Sequence, residues 1–282
     1  MLPVTALTVA AVQAEPVPGD VAGNAAAAAR LVCRAADAGA RLAVLPELFL
    51  PAYHPPTLHA RVDVDLRAAA TGAVIDDGRL DPLRSAARER AVVVVVGAAL
   101  RYGDGRRTCA AVVVDRDGSA VAAYDKQHLW GRDEHALFTA GGAGATLAVD
   151  GWRLGLGVCY DGCFPEHGRA AAGDDAHGYL CPSGYLVGSA HRRDLYYAAR
   201  ALDNTMFVVF ANGVGGAPPW VFNGGAAVYD PQGRVLARGA DAGEDMLVVT
   251  LGPAVLAETR AAHSMLLDRR ADQGGVRAQL TV

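Results

Sequence analysis

Residues 91–99, AVVVVVGAA, restrict the fold more than any other stretch of this chain. Five consecutive valines favour a strand, because β-branched side chains pack well on a pleated surface and lose rotamer freedom in a helix. No polar residue interrupts the run, so neither face suits water. Such a strand belongs inside a sheet that is covered on both sides.

The rest of the chain supplies the cover. Val4 to Gln13 reads as a first buried strand. Gly19, Asp20 and Asn24 open a helix through an alanine tract to Ala38, stopped by Gly39. Leu42 to Leu45 is a short strand ending at Pro46-Glu47, and Leu80 to Arg90 a helix. Cys109 to Val114 and Ser119 to Tyr124 flank Asp115-Arg116-Asp117-Gly118, a hairpin signal. Further strands are expected at Trp152 to Val158, Tyr179 to Pro182, Met206 to Ala211, Ala226 to Tyr229, Arg234 to Ala237 and Met246 to Leu251. Helices are expected from Pro165, over Ser189 to Leu202 and over Pro253 to Ala262. Strands alternating with helices, with hairpins interspersed, predict an α/β fold: a mixed sheet system covered by helices. No repeat or long linker divides the chain, so residues 1–262 read as one domain. Residues 263–282 form a polar, Arg-rich tail that either docks on a partner protomer or frays.

Composition excludes several classes. The 282 residues are 52% hydrophobic and 20% charged, with a net charge of −4. No basic patch stands out, which argues against nucleic acid and anionic membrane as partners. No apolar run reaches the length of a membrane span. The N-terminal segment loosely imitates a signal peptide but lacks a basic start, and Thr5 to Gln13 reads instead as a buried strand leading into a Pro/Gly turn. Five cysteines, an odd number without small-scaffold spacing, point to a reducing cytoplasm rather than a disulfide framework.

Chemistry concentrates in three segments: Glu47 in LPELFLPAY, Lys126 in YDKQHLWGRDEH and Cys159 in GVCYDGCFPE. Each lies where a strand ends and a loop begins, the usual place for function in open α/β folds. A carboxylate, an ammonium and a thiol suit acyl transfer: proton acceptor, charge stabiliser and nucleophile. The ammonium also relieves the like-charge conflict between a carboxylate and a thiolate. A helix start at Pro165 and Glu166, together with Lys126, leads us to expect a lowered thiol pKa at Cys159.

These motifs, together with VAAVQAEPVPGDVAGN, ARALDNTMFVVFAN and FNGGAAVYDPQGRV, occur in order over nearly the whole chain. The chain resembles the nitrilase superfamily of carbon–nitrogen hydrolases, in its amidase-like branch. The resemblance implies a four-layer αββα sandwich and a Glu–Lys–Cys triad of Glu47 as general base, Lys126 and Cys159 as nucleophile. Glu134 matches the family's second glutamate, and the Tyr160 backbone N–H its oxyanion donor. It further implies hydrolysis of a small amide through a thioester, with release of ammonia and no cofactor. A homodimer or higher homo-oligomer is implied as well, using the helix after Cys159 and the helix over Ser189 to Leu202, whose Leu195, Tyr196, Tyr197 and Leu202 exceed the needs of a solvated face. Carbamoyl amidohydrolase and acyltransferase activities remain the alternatives.

Several residues bear on the substrate. Tyr160-Asp161 after the cysteine favours an amide over a nitrile. Cys163 stands where carboxylate-recognising members carry Arg, although Arg132 or Arg192 could substitute. Tyr53, Trp130, Tyr185 and Phe222 are expected to wall the pocket, with Asp161 favouring a neutral or cationic acyl part. Competing readings are weaker. Cys159, Cys163, His167, His177 and Cys181 match no compact zinc spacing, so no metal is expected. Ser183 and Ser189 lack the G-x-S-x-G context of a serine nucleophile. Cys33 and Cys109 read as core, and His54-Pro55-Pro56 as a rigid rim loop.

Overall fold

The computed structural model describes residues 1–270 and 279–280. The chain opens with β1 (Leu7–Ala14), α1 (Val21–Asp37), β2 (Leu42–Val44), α2 (Pro55–Ala60) and β3 (Leu66–Ala68). Then come α3 (Asp81–Arg90), β4 (Val93–Tyr102), β5 (Arg107–Val114), β6 (Ala120–Asp125) and α4 (Gly131–Leu137). β7 (Ala145–Val149), β8 (Trp152–Leu156), α5 (Pro165–Gly173), β9 (Gly178–Ser183) and α6 (Ala190–Asn204) follow. β10 (Phe207–Ala217), β11 (Trp220–Asn223), β12 (Ala227–Tyr229), β13 (Val235–Arg238), β14 (Asp245–Leu251), α7 (Pro253–Ala262) and α8 (Met265–Asp268) complete the described chain.

The principal strand order is β6-β5-β4-β2-β1-β10-β9-β8-β7, with β14 antiparallel to β1. The fold is an αββα sandwich. Helices α1 and α3 pack together over one outer face, burying Ala25, Ala28, Leu31, Leu83 and Ala87. Helices α5 and α6 pack together over the other, where Tyr179, Tyr197, Ala201 and Phe210 form a second buried cluster.

The valine run behaves as its composition requires. Val92 to Val96 are all buried, four of them without any exposure. Their burial contributes on the order of 10 kcal/mol before chain entropy is charged against it. Gly97 breaks the run for a steric reason. A Cβ there would lie 2.3 Å from the Leu48 nitrogen and 2.4 Å from the Pro46 carbonyl oxygen. The strand lacks a side chain where the Glu47 segment crosses it, and Gly97 N–H donates to Pro46 O across that contact.

Some local expectations change. His54-Pro55-Pro56 starts α2 rather than a rim loop. The prolines occupy the first helical positions, where a missing N–H costs nothing, and His54 Nδ1 accepts from the Thr57 amide. Helix α4 and strands β3, β7 and β11 carry too little periodicity to have been expected. In the tail, α8 lies within residues 263–270, while the expectation for 271–278 and 281–282 falls outside the described residues. Among the described residues, no helix is long and apolar enough to cross a membrane.

Candidate active site

Three strand ends converge. β2 stops at Val44, and Pro46 turns the chain so that Glu47 is buried with its amide donating to Ser183 O. β6 ends at Asp125, and the next amide, Lys126, is held by Cys109 O at 2.8 Å. β8 ends at Leu156, two residues before a 3-10 turn over Cys159–Cys163. Cys159 sits there at φ 47°, a left-handed conformation costly for a residue with a Cβ. Its carbonyl is held by the Tyr197 hydroxyl at 2.8 Å.

The side chains meet as the sequence expects. Lys126 Nζ lies 2.6 Å from Glu47 Oε1 and 2.8 Å from Glu134, with no exposure. Glu134 is further fixed at both oxygens. Its Oε1 accepts from Tyr53 Oη, and its Oε2 from the amide of Trp130, the residue before α4. Glu134 thus orients the lysine while closing the N-terminus of its own helix.

Electrostatics separate resting from reacting states. Burial alone would discharge Lys126, but the Glu134 and Glu47 carboxylates hold its pKa well above the usual value. Burial pushes the Glu47 carboxyl up, and Lys126 offsets part of that rise. The Cys159 thiol is pushed well above its ordinary value by burial and then by the Glu47 charge; Lys126 and a backbone hydrogen bond from Gly184 oppose them. The expected depression of this thiol is therefore corrected. Desolvation outweighs the ammonium, so burial favours the thiol over the thiolate at Cys159.

These groups open into a cavity of about 260 Å³. Glu47, Glu134, Cys159 and Tyr160 line it, together with Tyr53, Trp130 and Tyr185. Two expected pocket residues are placed elsewhere. Phe222 is not among the lining residues; it packs edge-on behind Tyr53, with ring centroids 5.7 Å apart. The Asp161 carboxylate is fully buried under the turn, accepting from Val158 N, His128 N and Tyr124 Oη. It faces away from the cavity because a 3-10 turn sends the second side chain after Cys159 back toward the turn's own start.

The structure also adds residues. Cys163, Leu186, Val187, Arg192 and Tyr196 line the cavity, and Cys163 Sγ lies 3.1 Å from Tyr185 Oη. Arg192 does line it, whereas Arg132 does not. Cys109 touches Glu47, a contact across 62 residues that no local pattern announces. His167 and His177 have partners of their own: His167 lies between Tyr124 and Tyr179, and His177 Nδ1 accepts from Arg153 N.

Comparison with known proteins agrees with this geometry. The family described as Carbon-nitrogen hydrolase matches residues 8–261. A relative named "Hydrolase in pqqF 5'region" from Pseudomonas protegens is 33% identical, covering 95% of this chain and 90% of that protein. An "(R)-stereoselective amidase" from a Pseudomonas species is 35% identical, covering 81% and 79%. Among solved structures, an amidase from Nesterenkonia sp. superposes with a TM-score of 0.80 at 30% identity, covering 94% of each chain. A variant of that amidase carries the acetamide moiety of fluoroacetamide covalently at its active-site cysteine; it has a TM-score of 0.81 at 30% identity, covering 96% and 97%. The fold, the match along the chain and these relatives together show an amidase-like hydrolase: the chain belongs to the carbon–nitrogen hydrolase family of the nitrilase superfamily.

Proposed function

We propose that the protein hydrolyses the C–N bond of a small linear amide through a thioester on Cys159, releasing ammonia. One observation carries this reading. A buried Glu47–Lys126–Glu134 cluster and a thiol on a left-handed turn share one cavity. Variants of the Nesterenkonia amidase, one carrying the acetamide moiety of fluoroacetamide on its active-site cysteine and one in complex with butyramide, support a primary amide.

Glu47 takes the proton of Cys159 as the sulfur attacks the carbonyl carbon. Proton transfer accompanies the attack, since burial disfavours a free thiolate and Glu47 shares the cavity with the sulfur. Lys126 and the Tyr160 backbone N–H stabilise the oxyanion. Protonated Glu47 gives its proton to the leaving nitrogen, and ammonia departs. Glu47 then takes a proton from water as that water attacks the thioester, and the thiol is restored.

Intact-mass measurement on wild-type enzyme quenched with acid during incubation with an amide library tests the reading. An acyl adduct on Cys159 is expected. Cys159→Ala is expected to lose roughly three orders of magnitude in turnover, with Lys126→Ala similarly impaired. Near-wild-type turnover in folded Cys159→Ala protein would remove the covalent route.

A further inference from the structure

The two oxygens of Glu47 differ. Oε1 lies 2.6 Å from Lys126 Nζ and accepts from Cys109 Sγ at 3.5 Å. Oε2 is buried and has no hydrogen-bond partner. Such an orphaned oxygen is costly unless a ligand or a proton uses it. Its surroundings are kept open. Gly184 lies beside it, and a Cβ there would stand 3.2 Å from Oε2 and 3.1 Å from the Phe222 ring. The nearby Cys159 thiol lowers the Glu47 pKa in the manner of a hydrogen-bond donor.

Cys109 is a neutral donor. It is 1% exposed on β5, opposite Ala99 of β4. Burial, and then the charge of Glu47, push its thiol well above the ordinary value, so it keeps its proton. An S–H beside a carboxylate can only donate to it. Its carbonyl meanwhile accepts from the Lys126 amide at 2.8 Å. One residue thus touches both the base and the backbone of the lysine.

We propose that Cys109 is a positioning residue for the acid–base step. With Lys126 it ties down Oε1, so that Oε2 alone exchanges the proton. This rests on the amide hydrolysis proposed above. In acylation the Cys159 proton moves to Oε2 as the S–C bond forms and the carbonyl π pair moves to oxygen. When that pair returns, the C–N bond breaks, and the Oε2 proton goes to nitrogen, which leaves as ammonia. In deacylation water gives a proton to Oε2 as its oxygen bonds the acyl carbon, then the C–S bond breaks, the acid leaves, and the sulfur recovers that proton. Without Cys109 the carboxylate loses a donor to its charged form, so its pKa rises, and the carboxylate can swing about its bond to Lys126.

Serine keeps a donor at this position, whereas alanine and valine do not. The test compares Cys109→Ser, Cys109→Ala and Cys109→Val with the wild type in two assays across pH. One is kcat and KM for butyramide; the other is the rate at which iodoacetamide alkylates Cys159, read by peptide mass. For Ala and Val, kcat is expected to fall about tenfold with KM little changed. The acid limb of both profiles is expected to move up by about half a pH unit. Cys109→Ser is expected to retain the wild-type limb. A packing role alone would lower the melting temperature of Ser and Ala alike and leave the limbs in place; that result overturns the proposal. The alkylation profile reads the Glu47–Cys159 pair whether or not butyramide is turned over. Failure of butyramide hydrolysis with a shifted alkylation limb therefore faults the substrate, whereas hydrolysis with unshifted limbs faults Cys109.

Discussion

His128 and Asp161 stand two residues beyond Lys126 and Cys159, and they are bonded to one another twice. Asp161 Oδ1 accepts from the His128 amide and from His128 Nδ1, both at 2.8 Å. Asp161 Oδ2 accepts from Val158 N at 2.9 Å, closing the turn that carries Cys159. One buried carboxylate therefore joins the Lys126 strand end to the nucleophile turn. Burial works against its charge, but the hydrogen bonds from His128 and from the Val158 amide help hold its pKa below the usual value.

Removing that carboxylate should disturb Lys126 and Cys159 at once. Asp161→Asn turns an amide nitrogen toward backbone donors. We expect a stability loss of about 3 kcal/mol, as for a broken buried charge interaction, and a large fall in kcat. Chemical denaturation and steady-state kinetics measure the two. A folded Asp161→Ala enzyme with unchanged kcat would show that the clamp does not matter to chemistry.

The same network sets a pH dependence. Asp161 only accepts, so Tyr124 Oη must donate to it. His167 Nε2 must then donate to Tyr124, and Nδ1 accepts from Tyr179 Oη. Neutral His167 satisfies every partner, and burial pushes its pKa below the ordinary value. A depressed histidine contributes stability that is complete above about pH 6.5. That contribution is lost as pH falls toward and through the folded pKa, with a slope of at most about 1.4 kcal/mol per pH unit. Denaturation midpoints at pH 7.5 and 5 should therefore differ less in His167→Phe than in the wild type. An equal difference in both proteins would assign the dependence to other groups.

Gly97 tests the link between core and site. A Cβ at that position collides with the backbone on either side of Glu47. Gly97→Ala should cost about 1–3 kcal/mol through overpacking. It should also lower kcat on the order of a hundredfold if the carboxylate moves by about 1 Å. Wild-type kcat in the folded variant would show that the Glu47 loop accommodates the methyl group without moving the base.

Glu47, Lys126, Glu134 and Cys159 were legible because each sits in its own local motif, and acyl transfer needs those three chemical types together. What surrounds them was not, for physical reasons. The direction of Asp161 depends on a 3-10 turn entered through a left-handed cysteine, which composition does not signal. The Cys109–Glu47 contact depends on the Glu47 segment passing over Gly97 of β4, which lies between β2 and β5, not on either sequence by itself. The thiol pKa followed burial, whereas the sequence exposed only the neighbouring charges.

Assembly follows from α6. Of its four expected apolar residues, Tyr197 is fully buried against its own sheet, but Leu195 and Leu202 are 68% and 44% exposed. We propose that this outer face packs on a second protomer. Sedimentation at micromolar concentration is expected to give a dimer, and Leu195→Arg with Leu202→Arg a monomer. A monomeric wild type would leave these leucines as ordinary surface residues.

We propose that specificity turns on Arg192. It lines the cavity from the first turn of α6, and its guanidinium has no ion-pair or hydrogen-bond partner among the described residues. Asp161 was expected to attract a cationic acyl group, but it is buried elsewhere, so the unpaired charge in the cavity is positive. A cationic acyl part should therefore bind poorly. A carboxylate beside the scissile bond finds Cys163 rather than an Arg fork, and it meets a Glu47–Lys126–Glu134 cluster whose formal charge is −1 when both carboxylates are ionised. The aromatic walls Tyr53, Trp130 and Tyr185 suit a neutral acyl chain. For matched primary amides we expect kcat/KM to favour the neutral member over the cationic one by about tenfold, or 1.4 kcal/mol of differential transition-state binding. Arg192→Ala should narrow that gap and leave the anionic member no better. If the anionic amide instead wins by tenfold in the wild type and loses that advantage in Arg192→Ala, Arg192 is a carboxylate anchor and the neutral assignment is wrong.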